Sequence, residues 1–189
     1  MVFKRVKVLR NDDDIKIFHP KKTGGASSDL AIIAELTDKY RRNGNMDKAT
    51  LLGEKLALAK PEDFYPEDCA KLKTNEVRQL RSLMVFVFQI SIQKYLPHSM
   101  LASQAVNAMY AKLSNEAAGF FADISDGSSF TFYFLSVRKN NNIEERIGKN
   151  FAMLCDRDED EYYVNLGIKT LEEMDMYVCK LIDETEFAE

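Results

Sequence analysis

Residues 75–97 read NEVRQLRSLMVFVFQISIQKYLP, and the reading of this stretch decides the fold. Its first half carries Arg78, Gln79 and Arg81, polar residues that mark one side as solvent-facing. Its second half, Leu83-Met84-Val85-Phe86-Val87-Phe88, is apolar on every side, and a helix of that kind lies in the middle of a fold. The two valines weaken the helical reading, because β-branched residues also suit a buried strand. The helical patterning of the flanks favours a helix from Asn75 to Tyr95, ended by Pro97. The most apolar run, Leu83 to Ile92, includes Gln89 and Ser91 and falls short of the roughly 18–20 residues that cross a bilayer. It reads as a core helix, and no membrane partner is expected.

Outward from this centre the chain also reads as helices. Ser28 is placed to cap a helix in which Leu30, Ile33, Leu36 and Tyr40 fall at helical spacing. Gly44 suits its C-terminal turn. A second helix spans about Asp47 to Ala59 and is stopped by Pro61. The short Asn43-Gly44-Asn45 link makes the two antiparallel neighbours. Further helices are expected from Pro66 to about Lys73, after Ser99, and from Asn115 to Ile124. Residues 130–137 fit both a strand and a helix, and their helical neighbours favour helix. Asn142 with Glu145, and Thr170 with Glu173, have the spacing of capping boxes. Gly167 is placed to end a helix between them, and the last residues, TEFAE, are expected to fray. Residues 2–18 allow a short β element or a short helix, and His19 to Ser28 is a loop. The fold class is therefore all-α or mostly α, an irregular bundle of about seven to nine helices. Residues 1–189 form a single helical domain, with 1–28 as an N-terminal extension and loop.

Composition agrees with that class. The 189 residues are 46% hydrophobic and 11% aromatic, which excludes a wholly disordered chain. Eight Gly and four Pro are too few for collagen-like or low-complexity material. The net charge of -4 argues against a nucleic-acid-binding role, which usually needs a basic face. Residues 1–26 hold seven basic groups against three acids, a local +4, and residues 153–189 hold twelve acids against three basic groups, a local -9. Opposed ends of this kind favour head-to-tail contact between chains, or are simply solvated. Cys69, Cys155 and Cys179 are widely spaced and form no CxxC pair, so they read as buried thiols in a reducing cytoplasm. The N-terminus has no uninterrupted apolar segment of the secretory type.

Motifs that carry chemistry are weak. Thr23-Gly24-Gly25-Ala26-Ser27-Ser28 precedes a helix but matches no phosphate-binding loop. Asp156, Asp158 and Asp160 imitate the start of a calcium loop. Glu161 stands where such a loop needs Gly, and Gly167 where it needs Glu. His19 and His98 have no ligand partner at metal-site spacing. No nucleophile elbow is present, and a Cys155–His98 pair would be one unsupported pairing among several. No catalytic residue, cofactor or metal is therefore assigned.

Residues 31–61 resemble a tetratricopeptide hairpin. Leu36, Tyr40, Gly44, Ala49 and Pro61 fall where that repeat places Leu, Tyr, Gly, Ala and Pro. The pattern departs at Gly53 and Leu56, and no second copy follows, although such repeats need about three neighbours to bury a core. An ordinary antiparallel helix pair explains the same residues. If the hairpin is of the repeat type, its exposed positions include Asp38, Arg41 and Arg42, and the two arginines are placed to grip a partner carboxylate. As solvated residues they would simply complement the helix dipole.

The function these features favour is a protein–protein interaction or self-association module without catalytic activity. The alternative is a small-molecule-binding protein or enzyme with a pocket between helices. The aromatic richness bears on both. Phe120, Phe121, Phe130, Phe132 and Phe134 are expected to include more than one core buries, and an exposed remainder would form a partner surface or a ligand pocket. The helical reading of residues 83–92 is testable. Val85→Asp or Phe86→Asp is expected to abolish the cooperative thermal transition seen by circular dichroism, because each buries an unpaired charge. Two folded, soluble variants would refute it.

Overall fold

The computed structural model describes residues 26–138 and 141–188, and the chain there is helix after helix. In order these are α1 (Ala26–Arg42), α2 (Asn45–Leu58), α3 (Pro61–Phe64), α4 (Pro66–Cys69), α5 (Thr74–Tyr95), α6 (Ser99–Glu116), α7 (Ala118–Ser125), α8 (Ser128–Arg138), α9 (Ile143–Leu154) and α10 (Glu161–Thr185). No strand occurs among the described residues, so the architecture is all-α. The β element weighed for residues 2–18 lies outside the described residues. The chain divides into two units, Met1–Asp38 and Lys39–Glu189, and α2 to α10 all belong to the second.

Helix α5 is the centre of that second unit. The Glu76 carboxylate accepts the Lys73 N–H at 2.7 Å and starts the helix. Every side chain from Leu83 to Phe88 is buried. Burial on all sides requires cover on all sides, and α5 touches α2, α3, α6, α8, α9 and α10. The Phe86 ring meets Phe130, Tyr133 and Phe134 of α8 at 5.0–5.7 Å between centroids. Phe88 faces Tyr177 of α10 at 6.4 Å.

The surrounding helices close in at glycines. A Cβ on Gly53 of α2 would run into the Ala105 carbonyl and come 2.9 Å from the Met109 nitrogen of α6. A Cβ on Gly167 of α10 would come 2.9 Å from both the Gly148 Cα and the Phe151 Cβ of α9. A Cβ on Gly148 would in turn come 2.5 Å from the Val164 carbonyl. Glycine inside a helix costs about 1 kcal/mol relative to alanine, and here it permits contact between backbones. Gly53, one of the two departures from the repeat pattern, thus serves the crossing of α2 with α6. Gly44 keeps its expected turn role, at φ +78° with its N–H on the Arg41 carbonyl.

Several local expectations are corrected. Helix α10 runs unbroken through Gly167 and Thr170, because Gly167 serves close packing and the buried Thr170 hydroxyl donates back to the Leu166 carbonyl at 2.7 Å. Ser28 lies inside the first turn of α1, and Ser99 is the first residue of α6, with His98 preceding it as the cap. Asn142 precedes α9 in the left-handed region at φ 49°, without a side-chain cap bond. Pro61 and Pro66 each open a one-turn helix, a favoured place for proline, and these short turns are part of why the described residues hold ten helices. The residues after α10, expected to fray, are held. The buried Asn45 side chain donates to the Ala188 carbonyl at 2.7 Å and accepts the Ala188 N–H at 2.9 Å.

The glycine crossings make a paired prediction. Gly53→Ala is expected to lower stability to urea by about 1–3 kcal/mol through overpacking. Gly119→Ala in α7, where a Cβ would meet nothing within 4 Å, is expected to leave stability unchanged or raise it. Equal effects would refute the close approach.

Candidate functional site

Helix α8 is apolar on two faces. Phe130 and Tyr133 point inward and are buried against Phe86. Phe132 and Leu135, three residues apart, share the other side and are 40% and 48% exposed. Phe134 lies between them in sequence, with its ring edge-on to Phe86 and 36% of it exposed. The helix is locked in rotation by Asn150 of α9, which donates to the Phe132 carbonyl at 2.9 Å and to the Ser136 hydroxyl at 2.8 Å. The outward residues are thus held in place by polar bonds behind them. Of the five phenylalanines set apart in the sequence, Phe120 and Phe130 are buried, Phe121 is half-buried, and Phe132 and Phe134 are the exposed remainder.

The two most firmly held carboxylates bind the structure together. Glu76 is buried and accepts Arg157 Nε at 3.1 Å as well as the Lys73 N–H. Burial opposes its charge, but the Lys73 N–H, the Tyr163 hydroxyl and Arg157 outweigh burial and hold the carboxyl below its ordinary pKa. Asp175 of α10 accepts from Ser91 at 2.6 Å, Tyr95 at 2.7 Å and Lys94 at 2.8 Å, all on α5. Burial again opposes its charge, and the bonds from Lys94, Ser91 and Tyr95 prevail and lower its pKa. Each carboxylate is engaged with protein partners, an arrangement that fastens helices.

The cysteines are chemically quiet. Burial, then Glu76 and Asp156, push the Cys155 thiol up to about 12, and burial with Glu62 and Asp68 pushes Cys69 up to about 11. Both are protonated thiols at neutral pH, the opposite of an activated nucleophile. Cys155 is buried, whereas Cys69 and Cys179 are only half-buried, less enclosed than expected. The structure does not bring the Cys155–His98 pair into contact: His98 lies against the Tyr40 ring at 5.2 Å, and Cys155 ends α9.

The stretch resembling a calcium loop has another use. Arg157 reaches back to Glu76, and Asp160 accepts the Tyr162 N–H at 3.0 Å to cap α10. No group of three or more His, Cys, Asp or Glu able to hold a metal ion occurs among the described residues. No helix among them is long and apolar enough to cross a membrane.

Two surface grooves are open and polar. One, of about 450 Å³, lies between α2 and α6 and includes Thr50, Glu54, Gln104, Asn107 and Lys112. The other, of about 520 Å³, lies among α5, α7 and α8, where Arg78 is paired with Asp123. Ligand pockets are mostly apolar with a few polar groups; the first groove mixes polar side chains with Ala108 and Ala111, and the second is mainly polar. The residues singled out from the repeat-like pattern lie on α1. Arg41 and Arg42 are exposed in its last turn, and Asp38 is exposed one turn earlier. The signal for α8 was present in the sequence as Phe-rich alternation, but which phenylalanines stay outside depends on the helix's rotation.

No protein family, curated protein or solved structure matches this chain. The carboxylate anchors predict an acid limit to stability. Both folded pKa values lie below the ordinary values of 4.5 and 3.8, so their contribution is full above those values and is lost as pH falls below them. Asp175→Asn is expected to lower stability by about 2 kcal/mol at pH 7 and to flatten the loss between about pH 5 and 3 in urea titrations. An unchanged acid limb would refute the role of Asp175.

Proposed function

We propose that this protein is a helical interaction module without catalytic activity, and that it associates through the outward face of α8, with self-association as the concrete form. The observation that carries this reading is the exposure of Phe132, Phe134 and Leu135 on one helix that is fixed from behind by Asn150. Apolar burial contributes about 25 cal/mol per Å², and a helix already fixed in rotation loses little backbone freedom on docking. The opposed charges of residues 1–26 and 153–189 would help to orient two chains. Three cysteines outside any disulfide, Cys69, Cys155 and Cys179, suit a reducing cytoplasm. The alternative, a small-molecule site, would use an open groove such as that between α2 and α6. It is the weaker reading, because that groove is open to solvent and would leave much of a small ligand uncovered.

Sedimentation velocity over a concentration series tests the proposal. The wild-type chain is expected to associate in the micromolar range, and the Phe132→Ser/Leu135→Ser variant to remain monomeric with its thermal midpoint little changed. A photo-cross-linking residue at position 135 is expected to form adducts in cells, and one at the exposed Met176 is not. A wild-type monomer at all concentrations, together with no adduct at position 135, would overturn the proposal.

A further inference from the structure

A side-chain amide paired twice with one backbone residue reproduces the bonding of a β-bridge. Asn45 does this with Ala188, donating to its carbonyl and accepting its N–H. The Asn45 side chain is buried, and its own backbone N–H is taken by the Asn43 side chain at 3.1 Å, which fixes the start of α2. One turn later, Lys48 Nζ donates to the Glu186 carbonyl at 2.6 Å. All three contacts are to main-chain atoms of residues 186–188, so they carry no requirement for particular side chains. We infer that Asn45 and Lys48 form a binding site for the main chain of a short peptide segment, which residues 186–188 of this chain fill in cis and which the same segment supplied in trans can fill when the cis segment is displaced.

Two further features support the inference. Glu186 caps α10 at φ +50°, a left-handed conformation that costs a non-glycine residue about 1 kcal/mol. Residues 186–188 turn there toward α2, and their departure would relieve that conformation. Residues 186–188 are also tethered directly to α10, so they compete with any free peptide at an effective concentration in the millimolar range. The site is therefore expected to bind a free peptide poorly while the cis segment is in place. The inference is independent of the α8 proposal, since neither Asn45 nor Lys48 lies on that helix.

Fluorescence anisotropy with a labelled peptide of residues 183–188 tests it on the full chain. Ala188→Pro removes the N–H that Asn45 accepts and is expected to displace the cis segment. That variant should bind the peptide saturably, at least about tenfold more tightly than the wild-type chain does. Adding Asn45→Asp, which cannot donate to the carbonyl, is expected to abolish the gain. A peptide with its acidic residues replaced by serine should bind within about threefold, because the contacts are to main chain. A peptide carrying proline at the position of Ala188 should not bind. Thermal unfolding of each variant verifies that the helices are intact. Equal binding by wild type and Ala188→Pro, or no saturable binding by Ala188→Pro, would overturn the inference. Binding only by peptides that retain the acidic side chains would overturn the main-chain reading.

Discussion

Six consecutive buried side chains, Leu83 to Phe88, constrain everything else in the second unit. A helix turns through more than a full circle in six residues, so no side of α5 can face water over that stretch. The chain must supply neighbours in every direction, and α2, α3, α6, α8, α9 and α10 are those neighbours. Aromatic side chains cover the α8 side, with three rings on Phe86. The shell in turn closes where glycines remove side chains from between helices, at Gly53 and at the Gly148–Gly167 contact. A tight shell and an apolar axis are thus two parts of one packing solution.

Polar bonds give this apolar arrangement its orientation. Hydrophobic burial is not directional, and it would tolerate rotations and slides of one helix on another. Asp175 takes three donors from the last turns of α5 and so fixes how α10 lies along it. Glu76 starts α5 and holds the α9–α10 loop through Arg157. Asn150 does the same for α8. The acidic content of the last 37 residues is in part explained by these roles. Asp160 caps a helix and Asp175 joins two, and Asp156, Asp158 and Asp160 belong to no cluster of three or more metal-ligating side chains among the described residues.

The site readings follow from this division of labour. The inward aromatic residues of α8 satisfy the core and its polar bonds fix its rotation, which leaves Phe132, Phe134 and Leu135 outside as a consequence. Asn45 faces the backbone of residues 186–188 because α2 begins where α10 ends. The Asn45 contact carries no sequence motif, since it is a meeting of distant residues, and the α8 alternation does not by itself say which phenylalanines face out. The repeat-like spacing of residues 31–61 is also met by local needs. Gly44 makes a turn and Pro61 opens one, and these needs arise in any pair of helices joined by a short link.

The sequence by itself determined the helical class, the central position of residues 83–88 and the helix of residues 130–137. These depend on apolar periodicity and on proline and glycine punctuation, which act over a few residues. It also indicated that the phenylalanines exceed what one core holds. Tertiary structure alone decided that Gly167 packs instead of terminating, because the same residue type serves a left-handed turn and a close helix crossing. It alone decided which phenylalanines stay exposed, that Asp175 meets Ser91, Lys94 and Tyr95, and that Asn45 binds the chain 143 residues away. Those outcomes depend on how separate helices rotate and approach, and the spacing of residues along one helix contains no record of its neighbour.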